Sequence, residues 1–217
     1  MFDWINLAAI GREFITVLVV VDPIGTLPVF YFATQGVPER LHRTIAIRAV
    51  FIATVVLLAF LVGGQFLLES LGLRFGSFQI AGGIILFLFA MTMILGDSKA
   101  DQEIREASRD ALQGAVFPLA MPSIASPGAM LAIVVLTDNH QHSVAEQMVT
   151  GGVLLVVMLI TLVLLLLAAR IKPLLGASGA NVISRVMGIL LATIAVDAVM
   201  GGLEALGILE LSKGGVL

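Results

Sequence analysis

VDPIGTLPVF, residues 21–30, decides how this chain is read. It lies in the middle of an apolar segment running from about Phe14 to Ala33. Two prolines five residues apart, Pro23 and Pro28, with Gly25 between them and Asp22 beside them, cannot continue one unbroken helix. Proline lacks the backbone donor and its ring clashes with the preceding turn. Gly25 adds a poorly helical position. At membrane depth a broken backbone survives only where protein or a watery cavity covers the freed groups. A broken apolar helix that carries a carboxylate therefore points to a binding site inside a membrane.

The same device occurs a second time. PLAMPSIASPGAM, residues 118–130, holds Pro122 and Pro127, again five apart, followed by Gly128. It too interrupts an apolar run, from about Ala115 to Leu136. Broken segments in matching positions of two halves are the sequence pointer to a transporter site.

Composition agrees with a membrane setting. Of 217 residues 59% are hydrophobic and 12% charged, with a mean hydropathy of +1.08. Soluble domains carry about 25% charged residues. No stretch is polar and long enough for a separate soluble domain. Cysteine is absent, which excludes disulfides, thiolate metal sites and thiol nucleophiles. The net charge of −3 argues against a nucleic-acid partner. The opening MFDWINLAAIGREF has no basic region or clear cleavage site, so no removable signal peptide is expected. Walker A, HExxH and GxSxG patterns are missing. No enzyme activity is expected, and any driving energy comes from a gradient or from exchange.

About 20 apolar residues span a bilayer, and six such segments are expected. Helix 1 covers about Arg12–Ala33, broken at Pro23–Pro28, and helix 2 about Thr44–Leu68. Helix 3 covers about Phe75–Leu95, and helix 4 about Ala115–Leu136, the second broken segment. Helix 5 covers about Glu146–Ala169 and helix 6 about Val182–Ile208. Six spans put both termini on one side. That side holds Arg12, Arg74 and Lys213; the loops after helices 1, 3 and 5 hold the other nine of the 12 basic residues. The positive-inside rule then puts those loops in the cytoplasm and both termini outside it.

An internal repeat underlies the order. Laying residues 82–96 over 187–201 pairs Gly83 with Gly188, Ile84 with Ile189, Leu86 with Leu191, Ala90 with Ala195 and Gly96 with Gly201. The offset is 105 residues here and 99 at the breaks, so the halves run in register with a small insertion. Three spans per half is an odd number, so the second half is inserted upside down. The expected fold is therefore all-α: one transmembrane domain over residues 1–217, built as an inverted 3+3 repeat. Repeat one covers about 1–96, a charged connector 97–113, and repeat two about 114–217.

The breaks set the chemistry. A half-helix beginning in mid-membrane offers unpaired N–H groups and a positive dipole end to an anion. Thr26 is expected to cap a half-helix starting near Leu27 and Pro28, and Ser126 one starting at Pro127. Freed carbonyls of the preceding half-helices suit an ammonium group. Two facing breaks would hold a small zwitterion. Gly25 and Gly128 allow close approach, and small groups at Ser123, Ala125 and Ser126 suit a small ligand. With Pro23 these form the candidate substrate site.

Asp22 reads two ways. It is a partner for an ammonium group or a proton, or it is a carboxylate bonded to the N–H groups of the broken turn. Asp197, in mid helix 6 with Thr92 as its repeat mate, is expected near the pathway; the alternative is a bond to a neighbouring helix. The paired glycines at 63–64, 82–83, 151–152 and 201–202 are read mainly as close helix contacts. His140 and His142 are read as a solvated loop, not a metal site. The connector's mixed charges fit a short surface helix.

DPIG-T-LP in helix 1, IAGGIILF in helix 3, FPLAMPSIASPG in helix 4 and ISRVMGILL in helix 6 together resemble the MarC family of bacterial and archaeal inner-membrane proteins. The resemblance covers nearly the whole chain. Members of the SnatA type transport small neutral amino acids such as glycine, alanine, serine and threonine, and the resemblance implies that substrate class. The residue pattern alone implies only a small anionic or zwitterionic solute. The chain departs from the family in having Thr26 where Asn is frequent and Ser126-Pro127-Gly128 where Gly-Pro-Gly is common. Asp197 stands where Gln is often found, and Gly201 where Asn is. No cofactor is implied; coupling to a proton or sodium gradient is left open, as are preferred amino acid, direction and oligomeric state. Efflux of larger apolar compounds would call for a wide aromatic site, which one Trp and one Tyr do not favour. A membrane protein without transport would not need two duplicated breaks.

Overall fold

A computed structural model describes residues 7–34, 37–95, 115–139 and 142–209. Among these residues every regular element is helical. The helices are α1 (Leu7–Val21), α2 (Pro23–Ala33), α3 (Glu39–Ser70) and α4 (Phe75–Leu95). A π-helix, π1 (Ala115–Ile124), follows, then α5 (Pro127–Leu136), α6 (Val144–Leu166) and α7 (Ala168–Ala205). Among the described residues four stretches are long and apolar enough to cross a membrane: Glu39–Ser70, Phe75–Leu95, Val144–Leu166 and Arg185–Ala205. The connector read as a surface helix and His140 lie outside the described residues.

The helices are apolar on both faces, as lipid requires. On α3, Ala46, Ala49, Ala53 and Leu57 recur at helical spacing and are fully buried. Phe51, Val55, Val62 and Phe66 point outward, and Phe66 is 74% exposed. Small residues inside and large ones outside is the pattern of helices that associate by close packing rather than by a hydrophobic drive.

The closest packing joins α4 to α7. A methyl group added at Gly76 would stand 2.6 Å from the Gly202 carbonyl, and one at Gly202 would stand 2.7 Å from the Gly76 carbonyl. One at Gly83 would meet the Ala195 carbonyl at 2.8 Å, and one at Gly188 the Ala90 carbonyl at 3.2 Å. The contacts run in opposite directions along the two helices, so α4 and α7 are antiparallel. They are also reciprocal under the 105-residue offset: Gly83 meets Ala195 as Gly188 meets Ala90. Two further pairs under that offset also agree in burial. Leu86 and Leu191 are both buried, whereas Ile84 and Ile189 are 50% and 56% exposed.

Other glycines divide. Gly64 seats Val134, and Gly82 seats Leu131. Gly63 and Gly152 face open space, and a side chain at Gly151 would make only ordinary contact with Leu61. The close-contact reading thus holds for Gly64, for both Gly82 and Gly83, and for Gly202.

One segment differs from expectation. Residues 170–181 read as a loop, yet α7 runs unbroken from Ala168. Leu174, Leu175, Ala177 and Ala180 are strong helix formers, and the helix carries on through Pro173, whose missing N–H leaves the Ala169 carbonyl without its usual donor.

At the end that carries the start of α1, side chains tie down the loop between α5 and α6. The Asn139 N–H donates to Gln65 Oε1 at 2.6 Å, and Gln147 Nε2 donates to Asn139 Oδ1 at 2.6 Å. Ser143 and Glu146 form a reciprocal capping box that starts α6.

Candidate functional site at the two breaks

The first break is a single residue. Asp22 has φ 50°, the one positive φ outside glycine among the described residues. Its N–H still donates to the Leu18 carbonyl at 3.0 Å, and its own carbonyl accepts from the Thr26 N–H at 3.2 Å. The left-handed turn between those bonds ends α1 and starts α2. Asp and Asn tolerate that conformation better than other side chains. Pro23 then occupies the first helical position, where its missing N–H costs nothing within α2. It leaves the Val19 carbonyl without the donor four residues on.

Asp22 caps α2 with its side chain. Oδ1 accepts the Gly25 N–H at 2.9 Å, the N-cap bond expected of a carboxylate. The carboxylate lies so close over Gly25 that a methyl group there would collide with it. The other oxygen, Oδ2, is buried and has no hydrogen-bond partner, although Asp22 is only 1% exposed. Buried polar atoms are nearly always paired, so an orphan asks for an explanation.

These observations correct two expectations. The helix after the break starts at Pro23, not near Leu27, and Asp22 rather than Thr26 is its cap. Thr26 lies one turn inside α2, and its hydroxyl donates to the Asp22 carbonyl at 3.0 Å. The physical reason is the αL turn at Asp22, which places Pro23 at the helix start and leaves Pro28 within α2.

The second break has the expected cap. Ser126 is extended, and its Oγ accepts the Ala129 N–H at 3.1 Å, with Pro127 first in α5. Before it, π1 ends with the wider hydrogen-bond ring, the Ala125 N–H donating to the Ala120 carbonyl at 2.9 Å. π-type turns are rare and collect at functional sites. A methyl group at Gly128 would run into Leu86, so in this conformation Gly128 makes room for packing.

The breaks touch. The Ser123 hydroxyl donates to the Thr26 hydroxyl at 3.3 Å. Asp22, Pro23, Gly25, Thr26, Ser123, Ala125, Ser126 and Gly128 are all buried. Asp197 does not join them: it is exposed on the outside of α7. Thr92 lies on α4, and its side chain is not among those described.

Two clefts flank this centre. One, of about 290 Å³, is lined by Arg12, Glu13, Thr16, His142, Glu146 and Thr150, among others. The other, of about 450 Å³, is lined by Tyr31, Thr34, Glu39, His42 and Arg43, together with Phe30 and the end of α6. Along the first broken segment Thr16 lies six residues before Asp22 and Phe30 eight after it. At 1.5 Å per residue these are roughly 9 and 12 Å. Neither lining includes Asp22, Thr26 or Ser123. Glu13 was not among the residues singled out from sequence. Its signal was a carboxylate three residues before Thr16, on one helix face at the edge of an apolar segment.

Long lipid-compatible helices packed through glycines, with a polar centre closed inside them, define a polytopic integral membrane protein. The chain belongs to the MarC family of integral membrane proteins, whose model matches residues 7–206. It is 36% identical over 193 residues to a UPF0056 membrane protein of Archaeoglobus fulgidus, covering 88% of this chain and 90% of the relative. It is 31% identical over 190 residues to the UPF0056 inner membrane protein YhgN of Escherichia coli K12, covering 88% and 93%. It is also 31% identical to the UPF0056 membrane protein MJ1677 of Methanocaldococcus jannaschii, covering 88% and 94%. No solved structure matches.

Proposed function

We propose that this protein is a secondary transporter of small neutral amino acids, of the glycine, alanine, serine and threonine class. The observation that carries the reading is the orphan Oδ2 of Asp22 at the junction of the two breaks. A buried carboxylate oxygen without a donor is complementary to an ammonium group. The ammonium of the substrate binds there. The substrate carboxylate binds at the start of α5, where the Gly128 N–H belongs to the first helical turn and has no carbonyl within the helix. The matching position on α2 is already taken by the Asp22 carboxylate. Small residues at Ser123 and Ala125 restrict the side chain that fits.

In this reading α1–α2 forms one broken span and π1–α5 another, for six spans in an inverted 3+3 repeat. The reciprocal glycine contacts of α4 and α7 support the repeat. The clefts on either side of a sealed centre support alternating access, one opening toward Asp22 as the other closes. The relative from Escherichia coli is named an inner membrane protein, and this chain is assigned to the same kind of membrane. The bias of basic residues puts the ends of the chain outside the cytoplasm.

The test is uptake of labelled alanine or glycine by proteoliposomes, with and without a proton or sodium gradient. Saturable uptake competed by other small neutral amino acids is expected. A well-folded sample that moves none of them under any gradient overturns the assignment.

A further inference from the structure

A second polar site lies in the smaller cleft, away from the breaks. Glu13 and Thr16 come from one face of α1, and His142, Glu146 and Thr150 from the start of α6 and the loop before it. Glu146 is already committed: its Oε2 accepts from the Ser143 N–H at 2.7 Å and the Ser143 hydroxyl at 2.9 Å. Glu13 is not. Its Oε1 is buried and has no hydrogen-bond partner, although it borders a cleft of about 290 Å³. Arg12 lines the same cleft. As the next residue on the helix it projects about 100° away from Glu13 and does not face it. Glu13 and Arg12 therefore line the cleft at separate points, and the Glu13 carboxylate keeps one buried oxygen without a donor.

The geometry points to a binding site for a primary ammonium group at Glu13, with Arg12 receiving an anionic group on the same molecule. A metal ion fits less well: among the described residues no three His, Asp or Glu side chains are gathered as a metal requires. The volume lies at the lower edge of the roughly 300–1,000 Å³ typical of ligand pockets, so the occupant is small or only part of it enters. Glu13 lies nine residues before Asp22, roughly 13 Å along the helix, so the two carboxylates form separate sites. This site is carried by the cleft alone and is independent of the transport reading.

The test is the rate at which a hydrophobic carbodiimide modifies Glu13, followed by peptide mass spectrometry on the purified full chain. Methylammonium and alanine are each expected to slow the modification at least fivefold, and acetate to leave it unchanged. Asp22→Asn should keep that protection, which separates this site from the breaks. Arg12→Gln should weaken protection by alanine and not by methylammonium. Protection in phosphatidylethanolamine-free detergent identifies a free solute. Protection that appears only when phosphatidylethanolamine is present identifies a lipid headgroup, and either source supports an ammonium site. Modification of Glu13 at the same rate with and without every ammonium compound overturns it, as does complete failure of the reagent to reach Glu13.

Discussion

The Ser123 hydroxyl donates to the Thr26 hydroxyl at 3.3 Å, joining two breaks that lie 97 residues apart in the chain. Both side chains are fully buried. The Thr26 hydroxyl in turn donates to the Asp22 carbonyl, so a short chain of hydroxyl hydrogen bonds leads from the second break to the residue that makes the first.

That chain of bonds predicts energetic coupling. In a double-mutant cycle of Thr26→Val and Ser123→Ala, the interaction term should be about 0.6 kcal/mol, the average for such bonds between membrane helices. Reversible unfolding in mixed micelles measures it. Strictly additive effects would mean the two hydroxyls do not interact.

Asp22 does two separable things. Asn caps helices and tolerates a positive φ nearly as well as Asp, so Asp22→Asn should unfold within about 1 kcal/mol of wild type on those grounds. Asp22→Ala loses the cap and pays for the left-handed turn, and should cost about 2 kcal/mol. Equal losses for the two variants would contradict the capping role.

Gly25 is required by the carboxylate above it. Gly25→Ala should displace the Asp22 side chain and destabilise by roughly 1–3 kcal/mol, the range for overpacking. Gly152→Ala is the control, because a methyl group there meets nothing within 4 Å. It should be neutral or slightly stabilising, since Ala favours the helix. The order of the two melting temperatures decides the matter.

The antiparallel contact of α4 and α7 rests on Gly76 and Gly202, each set against the other's carbonyl. Either glycine replaced by Ala should cost roughly 1–3 kcal/mol. The double replacement should cost less than the two single losses combined, because the first already pushes the helices apart. A fully additive pair would show that the glycines do not share one contact.

The sequence made the two breaks legible because a doubled Pro-x4-Pro in apolar surroundings has few other physical uses. It also gave Ser126 as a cap, since Ser before Pro is the usual start of a helix. The exact turn at Asp22 was less legible. Pro23 and Pro28 look alike in sequence, and only packing decides which begins a helix and which sits within one. The π-helix ending at Ile124 leaves no composition signal, as it arises from how the chain fits its neighbours. Glu13 was hidden for a similar reason: a carboxylate near the end of an apolar segment reads as a surface charge until α6 is packed beside it. Asp197 shows the opposite failure. Its depth in the helix was readable, but which face it occupied was not, because α7 is apolar all round.

The most direct test of the account is equilibrium binding of labelled alanine to the purified protein, comparing wild type with Asp22→Asn at equal folded fraction. The account predicts saturable binding by wild type that is weakened at least tenfold by Asp22→Asn, with methylammonium competing and acetate competing poorly. Alanine bound equally well by both proteins would contradict it, because the orphan oxygen of Asp22 would then have no part in holding the ammonium group.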